Sequence, residues 1–137
     1  MPASANDSEK PPTVPGQRLA VAAESMYLAN LLLLPGLAFI ALLILWFKHR
    51  RRAPPLAICH LKQTLSASIW AGVVLVLANA LIILLGGYTA ASTWVIVILY
   101  FTICHAGLVS IGSVGLARAM AGKKYVYPLI GRVCHEE

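Results

Sequence analysis

The sequence is short of charge, and of negative charge above all: charged residues make up 12% of its 137 positions, and only five are acids. An ordinary soluble domain carries about 25% charged residues, so an aqueous globular surface is excluded. Signatures of chemistry are missing too. There is no phosphate-binding loop, no serine or cysteine nucleophile set beside a base, and no carboxylate pair, so the chain is expected not to be an enzyme. Cysteine is scarce: Cys59, Cys104 and Cys134 are odd in number and widely spaced, unlike the framework of a secreted domain, and free thiols are expected. Residues 1–18 lack the basic start and apolar stretch of a secretory signal; with Pro2, Pro11, Pro12 and Pro15 they read as a flexible tail retained on the mature chain.

What is present is apolar: 59% of residues are hydrophobic. All eleven Lys and Arg and all five acids lie outside the two clearest apolar runs, Leu65 to Leu85 and Trp94 to Ala117, as expected where ions are excluded from hydrocarbon. The net charge of +6 therefore belongs to the flanks, where anionic lipid headgroups are the fitting partner and nucleic acid is not. The expected class is an all-α integral membrane protein, with a single membrane domain over residues 19–137.

Three transmembrane helices are expected, over about 19–47, 64–85 and 94–121, followed by an interfacial segment, 122–137. The first would run about 43 Å, more than a hydrocarbon core of about 30 Å, and Pro35 with Gly36 breaks it. One kinked helix and two half-helices that enter and leave on the same side are both open. The second must satisfy the backbone freed at Pro35 inside protein, a stricter demand that favours the kink. Lys48 to Lys62 carries five cations and no acid, whereas the loop after Gly86 and Gly87 carries no charge. Short loops rich in Lys and Arg stay in the cytoplasm, so three crossings with the N-terminus outside and the C-terminus cytoplasmic are expected. Trp46, Tyr88 and Trp94 fit interfacial belts.

Polar and small residues within the spans supply the candidate sites. Ala106, Ser110, Ser113, Ala117 and Ala121 share one face of the third span, with Gly112, Gly115 and Ala119 beside it. Small residues let helices approach closely in lipid; the seam serves packing within the monomer or contact with another subunit. Asn79, deep in the second span, needs an interhelical partner. Glu24 is expected at the outer interface, solvated or paired with Arg18. Every cysteine precedes a histidine, Cys59–His60, Cys104–His105 and Cys134–His135, a donor set that suits zinc or copper. Adjacent ligands on a helix point about 100° apart, and the pairs fall at different depths, so no metal, zinc, copper or haem site is assigned to them. Arg50, Arg51, Arg52, Lys62, Lys123 and Lys124 are expected on lipid headgroups.

The stretches ILWFKHRRRAPP, HLKQTLSASIW and ARAMAGKKYVYPLIGRV, within about residues 31–133, resemble a family of small bacterial membrane proteins of unknown function related to the chloroplast inner-envelope import channel component. His60, Lys62, Gly122, Tyr125, Tyr127, Pro128 and Leu129 occupy that family's recurring places. Cys59 stands where an acidic residue is usual, and Ser66, Ala67 and Ser68 where an Asn-aromatic-Gln segment is usual. The resemblance implies a compact helical domain in a bacterial inner (plasma) membrane, with His60 at a helix start near the headgroups. It also implies an amphipathic turn of Tyr125, Tyr127 and Pro128 at the cytoplasmic interface. The functional expectation is an accessory or scaffolding subunit of a larger membrane assembly, partnered by lipid and by other subunits or itself. A pore or translocation element is the first alternative, and copper, zinc or haem binding through the Cys-His pairs, with Cys104, His105, Cys59 and His60 as candidates, is the second.

Overall fold

The computed structural model describes residues 12–134. Most of the tail expected over 1–18, together with His135 of the third Cys-His pair, lies outside the described residues. Four helices and no strands occur among the described residues: α1 (Gln17–Leu32), α2 (Leu37–His49), α3 (Pro55–Leu84) and α4 (Ala91–Met120). A π-helical turn, Tyr100–His105, lies within α4. Helices α3 and α4 are each 30 residues long and apolar enough to cross a membrane. Pro55 opens α3, because proline at the first helical position gives up a donor that would be unpaired anyway. The helix therefore starts nine residues before the expected boundary at 64.

The first apolar stretch is not one kinked helix. Leu42 of α2 shares a core cluster with Ala23 of α1 and Leu61 of α3, and Leu45 and Trp46 pack on it beside Leu19. In a continuous helix Ala23 and Trp46 would lie about 35 Å apart, so α2 runs back antiparallel along α1. The turn between them meets its own backbone needs. Leu33 and Leu34 N–H donate to Ala29 O, Pro35 has no N–H, and Gly36 N–H donates to Asn30 Oδ1 at 2.9 Å. Gly36 adopts φ +87°, a left-handed conformation open to glycine at no steric cost.

This hairpin changes the parity of the chain. A Cβ on Gly16 would lie 3.1 Å from Ala57 Cβ and Pro54 Cβ, and Gln17 Nε2 donates to Met120 O at 2.5 Å. The start of α1, the start of α3 and the end of α4 are thus together, and the described chain begins and ends at one end. The expected opposite placement of the two termini is corrected accordingly. Arg18, Lys48, Arg50 to Arg52, Lys62, Arg118, Lys123, Lys124 and Arg132 all belong to this basic end.

Packing is concentrated there. Helix α1 lies against both α3 and α4, and α3 is buried mainly between Leu56 and Ala71. Beyond Ala71, residues such as Val76, Leu77, Ile83 and Leu84 are exposed, a surface suited to lipid. Gly86 and Gly87 turn the chain into α4, and there Tyr88 Oη donates to Asn79 Oδ1 at 2.9 Å while Asn79 Nδ2 donates to Leu75 O. Asn79 thus bonds its own helix and the loop tyrosine, rather than a facing helix.

The face of α4 that meets α1 is Leu108, Gly112, Gly115 and Ala119, all buried. Ala106, Ser110, Ser113 and Ala117 are exposed, and both serines donate back to their own helix, to Ala106 O and Val109 O. At Gly112 an added Cβ would stand 2.5 Å from Tyr27 Cε1 and 2.9 Å from Leu28 Cδ2, and the Tyr27 ring is tethered by its hydroxyl to Leu108 O at 3.1 Å. Gly112→Ala should therefore cost about 1–3 kcal/mol through overpacking, whereas Ser113→Ala should stay within about 0.5 kcal/mol. Thermal unfolding in detergent will show a clear drop in Tm for the first variant alone.

Candidate functional site

At the basic end α1, α3 and the segment after α4 enclose a polar cluster. Glu24 and Tyr27 are one turn apart on α1, and His60, Gln63, Thr64 and Ala67 form a single face of α3. Glu24 and His60 are fully buried, and Glu24 Oε1 lies 2.6 Å from His60 Nδ1. His60 Nε2 donates to Lys123 O at 3.0 Å, and the Tyr127 hydroxyl donates to Glu24 Oε2 in a short hydrogen bond. Because a carbonyl only accepts, Nε2 must carry hydrogen, and one proton then sits between Nδ1 and Oε1. Every polar atom of this pair is satisfied. Burial first, and then the Glu24 carboxylate, push the Tyr127 hydroxyl well above the ordinary tyrosine range, so it remains a donor. Space for the carboxylate comes from Gly115, where a Cβ would fall 2.6 Å from Glu24 Oε2.

The segment Gly122 to Cys134 is stitched to α3. Gln63 Oε1 accepts from Arg132 N at 3.0 Å and Tyr127 N at 3.3 Å, its Nε2 donates to Arg132 O, and Ser66 Oγ donates to Ile130 O at 2.9 Å. A disulfide joins Cys59 to Cys134, 75 positions apart, with Cα atoms 5.4 Å apart. Four expectations are corrected here. The thiols of Cys59 and Cys134 are not free, and Tyr127 is buried rather than part of an interfacial turn. Glu24 is likewise a core residue held by His60, not a surface group paired with Arg18, and His60 is sealed away from the headgroups.

The residues considered as metal ligands are not gathered. Cys59 is consumed by the disulfide, both nitrogens of His60 are engaged, and Cys104 and His105 sit on the π-helical turn of α4. Among the described residues no group of three or more His, Cys, Asp or Glu is placed to hold a metal ion. His105 packs edge-on to Phe101, with ring centroids 5.3 Å apart, and borders an apolar groove of about 790 Å³ between the Pro35 turn and the middle of α3. Ser68 lines the same groove, and its buried Oγ has no partner. Of the headgroup candidates, Arg50 and Lys62 share a second cavity; Arg51, Arg52, Lys123 and Lys124 do not line it. Arg51, Arg52 and Lys123 are exposed at the same end.

Comparison with known families decides the kinship. A family model described as the magnetosome magnetite crystal formation protein family, MamF/MmsF, matches residues 18–134, far more than half of the chain. The chain belongs to the MamF/MmsF family. These are magnetosome membrane proteins involved in magnetite crystal formation, and the matched region spans all four helices and the stitched segment after them. Comparison with curated proteins and with solved structures finds no match.

Membership in MamF/MmsF corrects the resemblance to relatives of the chloroplast import channel. Two of the three stretches that suggested it mark helix ends, after α2 and after α4, and the third lies inside α3. The pore reading rested on that resemblance and goes with it. What this MamF/MmsF chain shows is a self-satisfied core whose removal is costly. Glu24→Ala and His60→Ala should each destabilise the protein by about 3–5 kcal/mol by stranding the partner, and the double variant should lose less than the sum of the two; denaturation in mixed micelles measures all three. Cys134→Ser should cost about 2–4 kcal/mol under oxidising conditions and nothing in excess reductant, and non-reducing electrophoresis will show whether the bond is closed.

Proposed function

We propose that this MamF/MmsF chain is a non-enzymatic, multi-pass accessory subunit that acts in magnetite crystal formation by organising partner proteins in the magnetosome membrane. The observation that carries the reading is the closed polar cluster. Glu24, His60, Tyr127 and Gln63 spend their donors and acceptors on one another and on the backbone, so the most chemically capable groups serve the fold. The surfaces left for work face outward: the basic end, and the exposed stripe of Ala106, Ser110, Ser113 and Ala117 on α4. Such a stripe lets a second helix approach closely in lipid, either from a partner protein or from another copy.

In this reading the basic end faces the cytoplasm. Of eleven lysines and arginines, all but Lys10, which lies outside the described residues, belong to that end, and the charge rule for membrane topology acts on such asymmetry. The Cys59–Cys134 bond argues the other way, since cytoplasmic thiols are held reduced. We give the cations more weight, because ten of them gather at one end whereas the thiols are a single pair. With α1 and α2 as a hairpin that enters and leaves on one side, α3 and α4 supply two full crossings.

Trypsin should cut at Arg50 to Arg52 in inverted vesicles and spare them in right-side-out ones; the reverse pattern rejects the orientation. Purification in mild detergent with cross-linking should recover the chain in a larger assembly. A particle of one chain under every condition would reject the accessory role.

A further inference from the structure

We propose that the cavity between the end of α2 and the start of α3 is a phosphate-binding site that seats the headgroup of an anionic phospholipid. This deepens the reading above and rests on its placement of the basic end at a membrane surface. The cavity has a volume of about 440 Å³ and is lined by Trp46, Arg50, Ile58, Lys62 and the Cys59–Cys134 disulfide, among others. That volume falls in the usual range of small-molecule sites, about 300–1,000 Å³.

Charge selects the ligand. Arg50, just past the end of α2, and Lys62, on α3, both line the cavity, and the lining holds no acid among the described residues. Glu24 is the single acidic residue among the described residues, and it is sealed in the core against His60. Among the described residues, therefore, no carboxylate faces either cation. The Arg50 guanidinium rests 5.2 Å over the Phe47 ring, which holds it along α2. Lys62 is half-buried and lines the cavity, a setting in which a lysine can bury its apolar stem and keep its ammonium in water. The start of α3 adds the positive end of a helix dipole. Cys59 and Cys134 form a side of the cavity that carries no like charge to repel an anion.

Surroundings select a lipid over a free anion. Trp46 lines the cavity, and tryptophan favours headgroup level in a bilayer. Ile40, Ile44 and Phe47 are all exposed and follow at steps of four and three, so they form one apolar track along α2 that ends at Arg50. A phosphate held by Arg50 and Lys62 would place its acyl chains along that track.

The test compares two double variants of equal charge change in the full chain. Arg50→Gln/Lys62→Gln should weaken retention of phosphatidylglycerol, read as lipid adducts by native mass spectrometry from mixed micelles, by about thirtyfold. Arg51→Gln/Arg52→Gln should retain it like the wild type, and Lys62→Arg should retain it too. Circular dichroism of each variant confirms helix content, and Arg50→Gln alone, with a partial loss, serves if the double variant does not fold. Equal loss in both double variants overturns the proposal, since diffuse attraction would then explain binding. Equal retention of phosphatidylcholine overturns it, and so does binding of inorganic phosphate through Arg50 and Lys62 without retention of phosphatidylglycerol. Failure of the accessory role would appear as a lone chain in cross-linking and would leave the adduct pattern unchanged.

Discussion

The contact on which this fold depends is the buried pair of Glu24 and His60. A carboxylate and an imidazole carried into a protein interior cost free energy unless each finds a partner for every polar atom. Here the partners come from three separated pieces of chain: α1 supplies Glu24, α3 supplies His60, and the segment after α4 supplies Tyr127 and the Lys123 carbonyl. Satisfying the pair therefore dictates how those pieces meet. Gly115 follows from it, because only a residue without a side chain leaves room for the carboxylate, and Gly112 does the same for Tyr27 one turn away.

In lipid this device does something that apolar packing does poorly. Hydrocarbon outside and leucine inside are nearly equivalent, so burial alone does not choose one arrangement of helices. A polar cluster satisfied in a single geometry does choose. Gln63 extends the selection to the chain end by holding the backbone of both Tyr127 and Arg132. The result is a molecule whose specificity is written at the basic end, while the distal halves of α3 and α4 present exposed apolar surface.

Much of the architecture could be read from the residues. The all-helical membrane class, the two long spans, the turn at Gly86 and Gly87 and the basic flanks follow from composition and run length. The hairpin of α1 and α2 did not, because Pro35 and Gly36 serve a kink and a reversal equally well. What separates them is the Asn30 side chain, which takes up the one loose donor of the turn. Glu24 was misplaced because a lone acid near a helix end reads as solvated, and its partner stands 36 residues later. The seam on α4 was displaced by two positions: the rows 106, 110, 113, 117 and 108, 112, 115, 119 have the same period, and only the two glycines mark which one is pressed. The Cys59–Cys134 bond links positions too far apart for spacing to suggest it.

The helical hairpin has a consequence for the bilayer itself. Helix α1 has 16 residues and reaches about 24 Å, while α3 and α4 have 30 each and reach about 45 Å. Near the basic end the molecule is four helices across, and at the opposite end only two. It is a tapered body, and in the placement proposed above, with α3 and α4 crossing the bilayer, it would displace more lipid from the leaflet at its broad end. With the broad end toward the cytoplasm, as also proposed, that would be the cytoplasmic leaflet.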